Sequence, residues 1–213
     1  MLALSEAFQF DWTVFSLLLF LLGVSLVTFV ILLKRSTTHR HWLDLVDWAR
    51  SQKFQVQKHP HAMPEPLNKL TELSPYPQVI LGDAKNKLVR FQSAFSDDQL
   101  IYHALVRQIE TEWPPTALRP ADASLSLVDH YPLDSHPNLA SVRFQVKGDS
   151  ISAARAIAAS SERALLPPDL GLMLMGRSLI IDFSSRPFDP IEFMRLLELV
   201  DQLVMHLPAH KPT

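Results

Sequence analysis

The strongest pattern along the chain is a run with no charged residue. Trp12 to Leu33 (WTVFSLLLFLLGVSLVTFVILL) is 22 uninterrupted residues, most of them Leu, Val, Ile or Phe. As a helix rising ~1.5 Å per residue it reaches ~33 Å, enough for a hydrocarbon core of ~30 Å. Helices buried in soluble domains rarely run so long without a charge. A cleaved signal peptide would carry a positive leader and a shorter apolar stretch. Here Glu6 and Asp11 precede the run, and Lys34-Arg35-Ser36 follows it. The pattern predicts a short extracytoplasmic leader (1–11), a transmembrane helix (12–33) and a basic juxtamembrane segment (34–41). A soluble domain (42–207) and a tail (208–213) complete the chain.

Within the domain, Ser36-Thr37-Thr38 offers N-cap residues to a helix in which Trp42, Leu45, Val46 and Ala49 recur at helical spacing. Phe54–Gln57 predicts a short strand and Leu67–Leu73 a helix. Gln78–Leu81 and Lys87–Gln92 flank Gly82-Asp83-Ala84-Lys85-Asn86, a hairpin signal. Leu100–Ile109 fits helix or strand; its β-branched and aromatic content favours a strand, closed by Trp113-Pro114-Pro115. A short helix is expected over Ala121–His130.

The last third is patterned most clearly. Val142–Lys147 alternates, with Val142, Phe144 and Val146 on one face. Asp149 or Ser150 can cap a helix to about Leu165. Leu170–Met175 and Ser178–Phe183 make a hairpin around Gly176-Arg177. Asp189-Pro190-Ile191-Glu192 then opens a final helix in capping-box form. Its apolar stripe is Phe193, Leu196, Leu197, Val200, Leu203, Val204 and Leu207. The order is β-α-β-β-α and the fold class α+β. Phe54-Gln-Val-Gln and Phe144-Gln-Val-Lys each precede a helix and a Gly-containing hairpin. A duplicated β-α-β-β unit would leave such an echo, and so would chance.

Phe144–Asp149, Leu165–Gly176 and Asp182–Phe193 (FQVKGD, LLPPDLGLMLMG and DFSSRPFDPIEF) carry a likeness beyond periodicity. In them the chain resembles a loosely defined group of uncharacterised bacterial single-span membrane proteins with a soluble α+β domain. That group implies an anchored α+β architecture and carries no activity to transfer.

Charge sets the orientation. Lys34, Arg35 and Arg40 flank the span on one side only, and positive flanks stay in the cytoplasm. The domain is therefore expected at the cytoplasmic face of the inner membrane. Residues 34–213 balance 20 basic against 20 acidic side chains, without the basic face of a nucleic-acid binder. The chain has no cysteine, which excludes disulfides and thiolate metal sites. His39-Arg40-His41 and His59-Pro60-His61 are the only close pairs among nine histidines and lack metal-ligand spacing. No phosphate-cradling glycine pattern or nucleophile elbow occurs. No cofactor, metal or nucleotide site is expected.

What remains is a candidate polar cluster of Arg119, Asp182 and Arg186. Its bland reading is structural, with Asp189 capping a helix and Arg186 pairing with an acid to fix a loop. The sequence favours a membrane-anchored, non-enzymatic interaction, scaffold or accessory module acting on an unidentified protein partner. The rival is a membrane-attached enzyme or small-anion-binding domain built on that cluster.

Overall fold

The computed structural model describes residues 12–58, 67–69, 77–92 and 101–208, with side chains described except at 12–14, 18, 30–44, 69, 77–79 and 92. The chain divides into two compact units, Met1–Leu43 and Asp44–Thr213. The fold is α+β, built on an antiparallel sheet.

Helix α1 (Trp12–Ser51) is continuous. The separate helix start expected at Ser36–Thr38 is absent, because nothing between Lys34 and Arg50 breaks a helix: the stretch has neither Gly nor Pro. The expected span lies inside α1. Among the described residues, whose side chains there cover only 15–17 and 19–29, no helix is long and apolar enough to cross a membrane. α1 ends where Lys53 adopts φ +61°. Phe54 N–H then reaches Ala49 O at 2.8 Å and Lys53 N–H reaches Arg50 O at 3.0 Å, a Schellman closure.

β1 (Gln55–Lys58), β2 (Pro77–Gly82) and β3 (Asn86–Gln92) form an antiparallel meander. Its β2–β3 turn is held by Asp83, whose carboxylate accepts from Lys85 and Asn86 N–H at 2.7 and 2.6 Å. Where a helix is expected at Leu67–Leu73, Leu67–Lys69 is a 3-10 turn and the rest lies outside the described residues.

β4 (Ile101–Pro120) overturns the expected stop at Trp113-Pro114-Pro115. The prolines are tolerated because pairing shifts register between Trp113 and Thr116, where no ladder N–H is required. The first arm of β4 pairs with β3, and the second pairs with β5 (Phe144–Gly148). Both arms also pair with β6 (Gly171–Asp182), Ala104 opposite Asp182 and Leu118 opposite Leu172.

Though it pairs with β4 along its length, β6 cannot be straight. Twelve residues at ~3.3 Å each would separate its ends by more than ~30 Å. Yet a Cβ built on Gly171 would stand 3.0 Å from the Cβ of Asp182. The run therefore doubles back at Gly176, whose φ of +56° suits the first central position of a tight hairpin turn. The β6 hairpin is nested between the two arms of β4, and Ile109–Glu112 passes its tip.

Between β4 and β5, the expected helix over Ala121–His130 shrinks to the 3-10 turn Leu127–His130, N-capped by Ser126. Asp122, Ser124 and Ser126 favour turns over helix interiors. Val142 is 94% exposed and lies before β5, so it does not share the face of Phe144 and Val146. α2 (Ile151–Arg163) is capped by Ser150, and α3 (Pro190–His206) by Asp189, whose carboxylate accepts from Glu192 N–H at 2.9 Å. The stretch matching β1 and its hairpin holds no described helix equivalent to α2, since residues 59–66 and 70–76 lie outside the described set.

Pleating sorts the core. Val89, Phe91, Tyr102, Ala104, Val106, Ala117, Met173 and Ile180 form one cluster with Leu67, Leu127 and Val128 from the 3-10 turns. Leu88, Leu105, Leu179, Ile181 and Phe183 alternate onto the opposite face and are buried as well. α2 packs on β4 and β5, and α3 packs on β4 and α2. Trp48 and Phe54 meet Phe193 of α3 at ring distances of 5.4 and 5.5 Å.

Candidate functional site

The turn that carries the chain from β6 into α3 brings Asp182 and Arg186 together. Asp182 is the last residue of β6, on the face covered by the Leu127–His130 turn, and is 4% exposed. Its carboxylate accepts from Leu127 N–H at 2.7 Å, Ser126 Oγ at 3.0 Å, Ser184 N–H at 3.1 Å and Ser184 Oγ at 2.6 Å. Burial pushes this carboxyl above its ordinary range, and the four donors work against that shift.

Arg186 clamps the same turn from outside. Nε and Nη2 grip Asp169 at 2.7 and 2.8 Å, and Nη1 donates to Glu192 at 2.6 Å. The bidentate hold on Asp169 raises the guanidinium pKa and depresses that of Asp169. Glu192 is 5% exposed, so Arg186 also neutralises a carboxylate buried in the first turn of α3.

Arg119 belongs elsewhere. It sits on the second arm of β4, where Nε donates to Asp129 at 2.6 Å and the other nitrogens reach Pro120 O and Ala123 O. Lys147 approaches Asp129 at 3.5 Å. Burial alone would raise the Asp129 pKa, but the two cations outweigh it and hold it low. No hydrogen bond joins Arg119 to Asp182 or Arg186 among the described residues. The three candidates thus anchor two loops and a helix start, each with protein partners of its own.

Two polar pairs escaped the sequence reading. Tyr102, fully buried, meets His130 Nε2 at 2.5 Å and stacks on Phe91, and burial pushes its phenol up to about 12. His103 and Arg90 are direct cross-strand partners on β4 and β3. His103 lies against the rings of Phe188 and Phe183, at 5.1 and 5.4 Å. Its Nδ1 sits 3.1 Å from Arg186 O, an acceptor, so Nδ1 carries the proton. Its main-chain N–H donates to Ser184 Oγ, linking it to the Asp182 knot. Nothing in the sequence set Arg90 and His103 apart, because both strands carry other polar residues, among them Lys87 on β3 and Arg107 on β4.

Burial lowers the His103 pKa from 6.5 to about 4. The folded protein therefore binds fewer protons there than the unfolded chain between those values. The contribution to stability is full above about pH 6.5 and is lost as pH falls through the folded pKa. That shift amounts to roughly 3 kcal/mol. Denaturant melts of the full-length chain between pH 6.5 and 4 should show this slope, and His103→Phe should flatten it. An equal slope in the variant would assign the effect to other groups.

A groove of about 550 Å³ opens where Ile109–Thr111 passes the end of α3, lined by Lys85, Arg107, Trp113, Val204 and Leu207 among others. Arg107 is committed within it to Asn86 at 2.7 Å and Asp201 at 3.1 Å. Among the described residues no group of three His, Asp or Glu could hold a metal ion. The side chains of His39, His41, His59 and His61 lie outside that set.

In sequence, the chain matches no family model and no curated protein. In structure it is similar to the crystal structure of the mycobacterial trehalose monomycolate transport factor A, TtfA, with a TM-score of 0.55 and 11% sequence identity. The match covers 80% of this chain and 96% of that one. At so low an identity, what the two proteins share is a fold.

Proposed function

We propose that this chain is a membrane-anchored, non-enzymatic accessory module, held by residues 12–33 in the inner membrane with its folded unit in the cytoplasm, and that it contacts a protein partner engaged in membrane transport. The observation that carries the anchor is the surface of α1. From Phe15 to Phe29, ten large apolar side chains are each between 42% and 70% exposed. So much contiguous apolar surface is costly in water and at no cost in lipid. With the uncharged run on either side of them, these residues fit a span.

The non-enzymatic reading is supported by the polar residues of the folded unit. Asp182, Arg186 and Arg119 spend their hydrogen-bonding capacity on turns and caps, so among the described residues these three candidates do not converge on an open cavity. The transport context is supported by the likeness in fold to TtfA, a transport factor.

The test is to express the full-length chain with a C-terminal reporter, fractionate membranes and identify what co-purifies in mild detergent. Resistance to alkaline carbonate extraction, a cytoplasmic reporter and co-purification of an integral membrane transporter are expected. Release by carbonate would sink the anchor. A reporter outside the cytoplasm would reverse the orientation, and purification without a membrane partner would remove the transport context.

A further inference from the structure

α1 and α2 both end on a left-handed residue that is not glycine, and the two residues differ in what they show to water. At the close of α1 it is Lys53, with φ +61° and a side chain suited to solvent. At the close of α2 it is Leu165, with φ +52° and 78% of its surface exposed. Leu166 N–H reaches Ser161 O at 2.9 Å and Leu165 N–H reaches Glu162 O at 3.2 Å, a Schellman closure that turns Leu166 inward and holds Leu165 out. Glycine would take that conformation without strain, and an outward leucine there gains nothing from the core. A second aliphatic side chain stands beside it. Val142 is 94% exposed, and its loop is fastened to the same helix end. Arg143 donates to Leu166 O, and Ser141 and Arg143 face Ser161 and Glu162 across a small cavity of about 90 Å³.

Charge narrows what covers these side chains. Arg143 and Arg163 flank them, both exposed, and neither forms an ion pair with a described residue. Glu162 offsets one of them, and Asp169 in the following loop is already held by Arg186. The local balance is positive. Side chains that protrude this far need a matching hollow in a protein partner, whereas a lipid interface is fluid and admits them without one. Its anionic headgroups also complement the arginines. A unit tethered to a bilayer by its own span docks there without the cost of free association.

We propose that Val142 and Leu165 dip into the headgroup layer of the membrane, with Arg143 and Arg163 on anionic lipid phosphates, so that the folded unit rests on the bilayer through this end of α2. This docking rests on the reading of residues 12–33 as a span, and it needs no protein partner.

The chain has no cysteine, so a nitroxide on a single introduced cysteine reports one position. Full-length Val142→Cys, Leu165→Cys, Ile151→Cys and Leu22→Cys, all at exposed positions, are labelled in nanodiscs of phosphatidylcholine with or without phosphatidylglycerol. Collisions with dissolved oxygen and with a water-soluble nickel chelate give the depth of each label. Labels at Val142 and Leu165 should favour oxygen. The label at Ile151, about 20 Å from Leu165 along α2, should favour the chelate. Phosphatidylglycerol should raise the ratio of docked to free molecules about tenfold, and Arg163→Gln should lower it about fivefold. With the label at Val142, Leu165→Gly should cut that ratio about tenfold while the denaturant midpoint holds or rises. A midpoint that falls while docking is unchanged overturns the proposal. So do labels at Val142 and Leu165 that read as water, or that are shielded from oxygen and chelate alike as in a protein contact. If the label at Leu22 lies deep in lipid while those two sit in water, the docking alone fails. A label at Leu22 in water takes down the span and the docking together.

Discussion

Phe193→Ala is expected to lower the stability of the folded unit by about 3–5 kcal/mol, the range for an aromatic side chain removed from a packed interior. Phe193 is 1% exposed, and its ring meets Trp48 edge-on at 5.4 Å with Phe54 5.5 Å away. Removing it opens a cavity between α3, the last turns of α1 and the start of β1, and takes a partner from each remaining ring. Leu197, on the same expected stripe, is only half-buried, so Leu197→Ala should cost well under half as much. Denaturant melts of the two variants in the full-length chain give the comparison. Similar losses at both positions would mean that α3 is rotated from the orientation described.

The second large effect is expected at Asp182. Asp182→Ala withdraws the acceptor from two main-chain N–H groups and two serine hydroxyls in a buried site. Leaving such donors unmet costs ~1–3 kcal/mol each, partly recovered by rearrangement of the serines, so a total of about 3–5 kcal/mol is expected. Asp182→Asn keeps one oxygen and should lie between wild type and the alanine variant. Two variants equal to each other and within 1 kcal/mol of wild type would show that the four donors do not depend on this carboxylate.

These residues also show how far the sequence could be read. The capped start of α3 was visible because Asp189, Pro190 and Glu192 act locally, through one N–H and a fixed φ. The β6 hairpin was visible because Gly176 marks a backbone conformation that few other residues accept. Asp182 and Arg186 were singled out, but their partners were not. Leu127 lies 55 residues away from Asp182, and nothing along the chain announces that a 3-10 turn will present its N–H there. Arg119 was grouped with them only as another polar residue near a proline-marked turn, and Asp129 claims it. The length of β4 was hidden for a related reason. Pro114 and Pro115 end a strand that must donate on both sides, and only the register shift beside them makes them harmless. The helix ends at Lys53 and Leu165 lacked the glycine that usually marks a left-handed residue.

The nesting of β6 between the arms of β4 has a consequence for how the chain is made. When residue 120 leaves the ribosome, both arms of β4 exist, but the strands that fill the space between them are more than fifty residues from being synthesised. Until then each arm shows an unpaired edge over Ala104–Gln108 and Trp113–Leu118, the kind of edge that recruits stray strands. The central pairings are therefore late and long-range, which makes closure of the sheet slow compared with its local hairpins. The meander of β1, β2 and β3 can form early, whereas the core sealed by Met173 and Ile180 waits for the final third of the chain. A truncation before Gly171 would lose the middle of the sheet, whereas one after Pro208 would leave it whole.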